Sequence, residues 1–219
     1  MKKSLLGLIL LFVLLTTYFP KTKIFPKFDL NIKNIFIENN SIISNKEILD
    51  NLEFLYQENI YFLDIKKIEQ ILLNQEFIES FKIKKIYPKT IKLILNEKKI
   101  IAILYKKKEK YYISDKGKIV NFKKIEKYQD LPRVFGGEKY FFSFYQELKN
   151  NNFPIAQIET FYFFESGRWD LEMNDGKIVK LPIKNYLFSL KNFINSNKDS
   201  SFSSFKIFDY RIEDQLILK

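Results

Sequence analysis

Phe81-Lys82-Ile83-Lys84-Lys85-Ile86-Tyr87-Pro88-Lys89-Thr90-Ile91-Lys92-Leu93-Ile94-Leu95 reads as two strands joined by a short turn. Successive side chains on a strand point to opposite faces, so Phe81 and Ile83 share one face of the first strand. Tyr87-Pro88-Lys89-Thr90 supplies the turn, with proline fixing its backbone dihedral. Ile91, Leu93 and Leu95 then line the inner face of the returning strand. A hairpin of this length needs an apolar partner on that face, and the preceding residues provide two candidates.

Asp64 is a good N-cap for a helix that turns Ile65, Ile68, Ile71 and Leu72 inward. Before it, Ser44-Asn45-Lys46-Glu47 has the form of a capping box: Ser44 accepts from the Glu47 N–H while the Glu47 side chain reaches back. The helix so opened places Ile48, Leu49, Leu52, Leu55 and Tyr56 on one stripe. Residues Leu30 to Ile37 alternate and then become mostly apolar, as a strand would. The order is β-α-α-β-β. Further upstream, Ser4 to Pro20 is an uncharged apolar run behind Lys2 and Lys3. Seventeen residues make a helix of roughly 25 Å, close to a hydrocarbon core of about 30 Å. A cleaved signal peptide is the rival reading, but no small-residue cleavage site stands near Tyr18 and Phe19. The run is expected to be an uncleaved membrane anchor, with no cysteine to make it a lipoprotein. Lys2 and Lys3 favour an inside N-terminus, while Lys21, Lys23 and Lys27 weigh against it. Long domains translocate with little regard to charge, so the expected orientation is N-in, domain-out.

Downstream, Tyr111 to Val120 is a hairpin turning at Asp115-Lys116-Gly117-Lys118, and Lys106-Lys107-Lys108 is a solvated hairpin tip. Leu131-Pro132-Arg133-Val134-Phe135-Gly136-Gly137 leads to a helix carrying Phe141, Phe144, Tyr145 and Leu148, followed by a strand from Ile158 to Phe164. Within that strand, half of Phe161-Tyr162-Phe163-Phe164 is expected in the core. Arg168-Trp169-Asp170-Leu171-Glu172-Met173 alternates and turns at Asn174-Asp175-Gly176-Lys177. This reading buries Trp169, Leu171 and Met173 and gives Asp170 and Glu172 to solvent. A last helix is expected to present Ile183, Tyr186, Leu187, Leu190 and Ile194, and two short strands close the chain.

A net charge of +11 invites a nucleic-acid reading. The composition offers a simpler one. Lysine, asparagine, isoleucine, phenylalanine and tyrosine dominate together, and arginine stands only at 133, 168 and 211. That is the bias of an AT-rich genome, in which lysine is the default surface cation. Without histidine or cysteine, imidazole bases, thiol nucleophiles and the commonest metal ligands are missing. No Gly-rich phosphate loop exists among six glycines. The expectation is a non-enzyme with no cofactor and no metal.

The stretch from Asp64 to Phe77-Ile78, then Ile83 to Leu93 with its aromatic-Pro turn, and Asn96-Glu97-Lys98-Lys99-Ile100-Ile101-Ala102 resembles a POTRA domain. One POTRA unit behind a short N-terminal anchor is the plan of the bacterial FtsQ/DivIB cell-division family. The Asp115–Lys118 hairpin, Leu131-Pro132, the Arg168-Trp169…Leu181-Pro182 hairpin and Asp209-Tyr210-Arg211 are similar to that family's β domain. The resemblance implies an α+β protein in four parts. These are a cytoplasmic N-terminus (1–3), a transmembrane helix (4–20), a POTRA domain (28–100) and a β domain (101–219) with helices on an antiparallel sheet. It implies a single-pass inner-membrane protein, bulk periplasmic, at the division septum. There it would scaffold the divisome, link early and late division proteins and bind FtsB-like and FtsL-like membrane proteins by strand addition, with further divisome contacts through the POTRA and anchor segments. The implied contact residues are Arg168, Tyr210, Arg211, Ile212, Leu216, Ile217 and Leu218. Arg211 would meet a partner carboxylate or pair within the chain with Asp209 or Glu213. An assembly or secretion component bearing a POTRA unit is the alternative.

Overall fold

The computed structural model describes residues 2–17, 29–212 and 215–219. It begins with α1 (Lys2–Thr17), whose side chains from Leu5 onward are all exposed. Among the described residues no helix is long and apolar enough to cross a membrane. The expected span runs three residues past α1, and 18–20, like Lys21, Lys23 and Lys27, lie outside the described residues.

The β-α-α-β-β order is present. Strand β1 (Asn34–Glu38) pairs parallel with β3 (Thr90–Glu97), which pairs antiparallel with β2 (Ile78–Ile86). Helices α2 (Asn45–Asn51) and α3 (Ile65–Leu73) precede the hairpin. The Asp64 carboxylate caps α3, accepting from Lys66 N at 3.0 Å and Lys67 N at 3.3 Å. Ile91, Leu93 and Leu95 are buried against Ile48, Leu52, Leu55, Ile68 and Leu72. Four expectations need correction. The first strand begins at Asn34, because Leu30 and Ile32 are bonded instead to Ile60 and Glu58. The first helix stops at Asn51 and tightens into a 3₁₀ turn over Glu53–Gln57, which leaves Tyr56 exposed. Ile65, in the first turn of α3, is half exposed. The capping box is half made: Ser44 Oγ accepts from Glu47 N at 3.1 Å, but the Glu47 carboxylate turns to Lys123 at 3.3 Å.

Glu97 does more for this domain than any cap. Its carboxylate accepts from the backbone N–H groups of Ser41, Ile42 and Ile43 at 3.0, 2.8 and 3.1 Å, and from Ser41 Oγ at 2.7 Å. The end of β3 is thereby fixed to the loop that enters α2. Burial opposes the charge, yet these donors hold the carboxyl below its ordinary value.

The second domain is a mixed sheet, nine strands wide among the described residues, in the order β12-β11-β10-β9-β8-β7-β4-β5-β6. Its strands are β4 (Ile100–Lys106), β5 (Glu109–Ser114), β6 (Ile119–Asn121), β7 (Arg133–Phe135), β8 (Ile158–Phe163), β9 (Trp169–Met173), β10 (Ile178–Lys180), β11 (Ile207–Asp209) and β12 (Ile217–Leu218). The expected mixed β domain is present, but the sheet under its helices is not antiparallel throughout, since β4/β7, β7/β8 and β10/β11 are parallel. The helices explain two of these pairings. Parallel neighbours need a crossover, and α4 (Glu138–Asn150) returns the chain from β7 to β8 as α5 (Tyr186–Lys198) does from β10 to β11. Both helices pack on one face. There Trp169 stacks on Phe144 at 4.9 Å and meets Phe161 edge-on, as its place in the alternation requires. Gly137 at the start of α4 has φ +62, and a Cβ there would stand 2.6 Å from Phe163 and 2.7 Å from Trp169, so the aromatic cluster needs glycine. Ile183 lies before α5 and is exposed, while Phe193 takes the core position that the expected stripe missed.

The two domains share apolar contacts. Phe77 meets Tyr112 edge-on at 6.2 Å, and Ile100, Ile103, Val120 and Tyr128 join the cluster that contains Ile91 and Leu93. Glu79 on β2 receives Lys116 at 2.8 Å and Lys118 at 3.6 Å across the same junction.

Glu97→Ala would strip three backbone N–H groups of their acceptor and is expected to cost about 2–3 kcal/mol, read as a lower urea midpoint. The folded carboxyl is depressed, so its contribution is complete above the unfolded value of about 4.3 and fades as pH falls through the folded one. Urea titrations at neutral and acid pH should show the gap between wild type and Glu97→Ala closing in acid.

Candidate functional site

Strand β12 is the last strand of the sheet on the side away from the POTRA-like unit, and its outer edge has no neighbour among the described residues. Its pairing with β11 decides which backbone groups are free. Ile207 and Lys219 exchange both main-chain hydrogen bonds, at 2.9 and 3.2 Å. Antiparallel ladders alternate bonded and non-bonded pairs. With Phe208 opposite Leu218 and Asp209 opposite Ile217, the N–H and C=O of Leu218 therefore turn outward, as do those of Leu216 one period on. The Leu216 and Leu218 side chains lean on the helix-covered core, and Ile217 projects from the opposite face, partly exposed.

On that opposite face, three neighbouring strands place Asp170, Lys180 and Asp209 in one row, by the pairings of β9 with β10 and of β10 with β11. Two arginines close over the carboxylates. Arg211 grips Asp209 through Nε at 2.8 and 3.0 Å and through one Nη at 2.6 Å, and its own N–H donates to Oδ1 at 3.1 Å. This two-pronged pair holds the Asp209 carboxyl below the usual range against the pull of burial. The Arg211 side chain is still 44% exposed. Arg168 Nε donates to Asp170 at 3.2 Å, while its guanidinium lies 4.1 Å over the Phe164 ring. Asp170 is 5% exposed rather than on a solvent face, because flanking long side chains close over it. Burial raises its carboxyl, and Arg168 only partly offsets that. Glu172, next along the strand, accepts from the Tyr162 hydroxyl at 3.0 Å.

The expected contact residues thus divide into three groups. Arg211, Ile212, Leu216, Ile217 and Leu218 come together at the free edge. Tyr210 is mostly buried and shows only a wall of the neighbouring groove; burial pushes its phenol up to about 12, and its hydroxyl has no hydrogen-bond partner among the described residues. Arg168 sits two strands in from the edge pair and is mostly covered by its own contacts. Arg211 pairs within the chain through Asp209; Glu213, the other intrachain candidate, lies outside the described residues. The sequence reading missed Lys180, because nothing local reveals the parallel pairing that sets it between two carboxylates. It also missed a groove of about 630 Å³ beside the edge, walled by Pro182, Ile183, Phe188, Tyr210, Ile212 and Leu216. Exposed Ile183 and Phe188, at the start of a helix, were its available signal.

Residues 30–98 match the POTRA domain, FtsQ-type, and residues 102–211 match the cell division protein FtsQ/DivIB, C-terminal domain. The chain belongs to the FtsQ/DivIB family. It is similar to cell division protein FtsQ of Rhizobium meliloti (strain 1021), with 27% identity over 124 residues, covering 56% of the chain and 40% of that protein. Similarity to cell division protein FtsQ of Rickettsia bellii (strain RML369-C) is 28% over 142 residues, covering 64% of the chain and 53% of that protein. The chain therefore spans about half the length of these relatives. A solved extracytoplasmic domain of the cell division protein DivIB from Geobacillus stearothermophilus aligns at 15% identity and TM-score 0.31, over 45% of the chain and 89% of that domain. Of the residues at the edge, Ile212, Leu216, Ile217 and Leu218 lie beyond the matched residues.

Arg211→Ala leaves Asp209 nearly buried without its guanidinium, and Asp209→Asn loosens Arg211. With Arg211 half exposed, each is expected to cost about 1–2 kcal/mol by denaturant unfolding. The double variant should cost clearly less than the sum, the signature of a direct pair.

Proposed function

We propose that this chain is a non-enzymatic scaffold of the bacterial division machinery. In this reading α1 and the residues after it tether it to the inner membrane, N-terminus inside. The β domain, on the outer side at the septum, takes up a strand from FtsB-like and FtsL-like membrane proteins and so links early and late division proteins. The observation that carries the proposal is the outward-turned main chain of Leu216 and Leu218 on a free sheet edge. Such an edge is a template for another strand. Its natural hazard is blunted here by brevity, since β12 has two residues. The neighbouring features supply what main-chain bonds lack. The groove beside β12 accepts an apolar side chain or helix end from the same partner, and the outer side of Arg211 fixes direction by meeting an acidic residue.

Tethering is supported by the chemistry of α1. Side chains from Leu5 to Leu15 are apolar apart from Gly7 and exposed along the whole helix, a state that water disfavours and an acyl environment does not. Sixteen residues give about 24 Å of helix, so spanning the core requires flanking residues to extend it.

Proline separates the edge from the sheet. Leu218→Pro removes an N–H that faces outward, where proline is tolerated, whereas Ile217→Pro removes one that faces β11. Leu218→Pro is expected to fold normally by circular dichroism and to lose co-purification with the FtsB-like partner at least tenfold. Full retention of partner by folded Leu218→Pro would sink the strand-addition reading. In cells, depletion of the chain should yield filaments, and a fluorescent fusion should collect at midcell; normal division after complete depletion counts against the scaffold role.

A further inference from the structure

One end of the POTRA domain has an unusual surface. The loop after α2, the Tyr87–Lys89 turn and the start of β1 meet there: Ile60 N donates to Leu30 O at 3.1 Å and Lys33 N to Lys89 O at 2.8 Å. Tyr61 and Tyr87 stack at 4.8 Å, although both are more than half exposed. Phe62 is 83% exposed, the most exposed of the large apolar side chains, and Ile65 and Ile86 stand out beside the pair. Lys66 follows Ile65 in the first turn of α3, and Lys84 and Lys85 precede Ile86 on opposite faces at the end of β2; none of the three forms an ion pair among the described residues. Of the acidic groups at this end, Asp29 holds Lys89 at 3.0 Å and Lys33 at 3.6 Å and Asp64 caps α3, while the Glu58 carboxylate forms no ion pair among the described residues and is outnumbered by the three lysines. Exposed tyrosine and phenylalanine on the same end as unpaired lysines is the chemistry of a membrane interface. Rings sit at the headgroup level, and ammonium groups meet lipid phosphates.

Chain length supports the same occupant. Residues 18–28 are all that separate α1 from this end, so at full extension it lies within about 40 Å of Thr17. Helix α3 begins at this end and runs away from it, and the β domain is joined at the junction opposite.

We propose that this end of the POTRA domain docks on an anionic phospholipid surface, with Phe62, Tyr61 and Tyr87 at the headgroup level and Lys66 and Lys84 on lipid phosphates. The proposal rests on the reading of α1 as a membrane tether. Docking converts a tether into a second point of attachment, so the domain has a fixed stance over the bilayer and β12 faces away from it.

The chain has no cysteine, so a single introduced thiol can be labelled cleanly. The full chain carrying Ile65→Cys or Asn74→Cys, at the two ends of α3, would be labelled with an environment-sensitive fluorophore. It would then be reconstituted into phosphatidylcholine vesicles with or without phosphatidylglycerol. Spin-labelled lipid is expected to quench the label at 65, and not at 74, when phosphatidylglycerol is present. Each exposed lysine near an anionic surface is worth roughly fivefold in partitioning. Lys66→Ala with Lys84→Ala should therefore cut the docked-to-free ratio roughly 25-fold, and Phe62→Ser should lower it without altering the salt dependence. Co-flotation with vesicles of either composition reports the tether separately. If the chain floats but 65 and 74 are quenched alike or not at all, docking is wrong while the tether stands. Equal quenching at 65 without phosphatidylglycerol overturns the anionic assignment. A chain that fails to float with either vesicle overturns tether and docking together.

Discussion

Across the β domain runs one row of apolar side chains in register: Leu104, Val134, Phe161, Leu171, Val179, Phe208 and Leu218, each opposite the next on the neighbouring strand. Helices α4 and α5 lie on this row, and six of its seven members are essentially inaccessible. At about 2–3 kcal/mol for a fully buried large side chain, its upkeep dominates any ion pair on the surface. The row also dictates everything on the other face. Side chains alternate with period two, so a slip of one residue on any strand would bring its buried member to solvent. With the row fixed, Asp170, Lys180 and Asp209 must line up behind it. The same constraint reaches the last strand. Leu218 is held by Phe208, and the outward turn of its main chain follows from where its side chain must go.

The junction with the POTRA domain applies the same device at the opposite edge. Tyr112 and Val120 project from the helix-free face of β5 and β6 into the core that holds Phe77 and Leu93. The Tyr112 hydroxyl donates to Lys123 O at 2.8 Å, so burying the ring leaves no orphaned donor. Burial against a neighbouring domain occupies one edge region of the sheet and leaves the other as its free end. The polarity of the two domains, with the POTRA domain at one side and the open strand at the other, comes from which edge has been covered.

Local signals were legible in the sequence and long-range ones were not. The Asp64 cap, the hairpins at 87–90 and 115–118, and the burial of Ile91, Leu93 and Trp169 each depend on a few adjacent residues, and each holds. Parallel pairing does not: β10 finds β11 across α5, and no alternation within either strand announces it. The antiparallel expectation failed for that reason, while the burial of Asp170 was missed on another ground. Read alone, Asp170 is a polar residue opposite a buried tryptophan and belongs in water. In the sheet, Lys180 stands beside it and Arg168 lies across it. The candidate edge was legible as residues but not as geometry. That Leu218 and not Ile217 turns its main chain outward depends on the Ile207–Lys219 bonds, and Tyr210, read only from its place beside Arg211, is buried with one side on the groove.

The Asp209–Arg211 pair bears on how selective such an edge can be. A free arginine at the edge would attract any acidic segment, and main-chain pairing discriminates poorly among extended peptides. Here the guanidinium is already satisfied on one side by a carboxylate that is itself nearly buried, so an incoming acid adds to the pair rather than replacing water around a bare charge. Its electrostatic gain is correspondingly small, and screening by salt costs little. In the proposed docking, discrimination would fall to shape: a partner side chain between Ile183, Phe188 and Leu216, at a fixed spacing from a strand added at Leu218. Such a site rejects strands of the wrong register, because a one-residue shift turns the seated side chain to the other face. On that proposal the intrachain pair would move selectivity from charge, which a lysine-rich surface would blur, to register, which the buried row holds fixed.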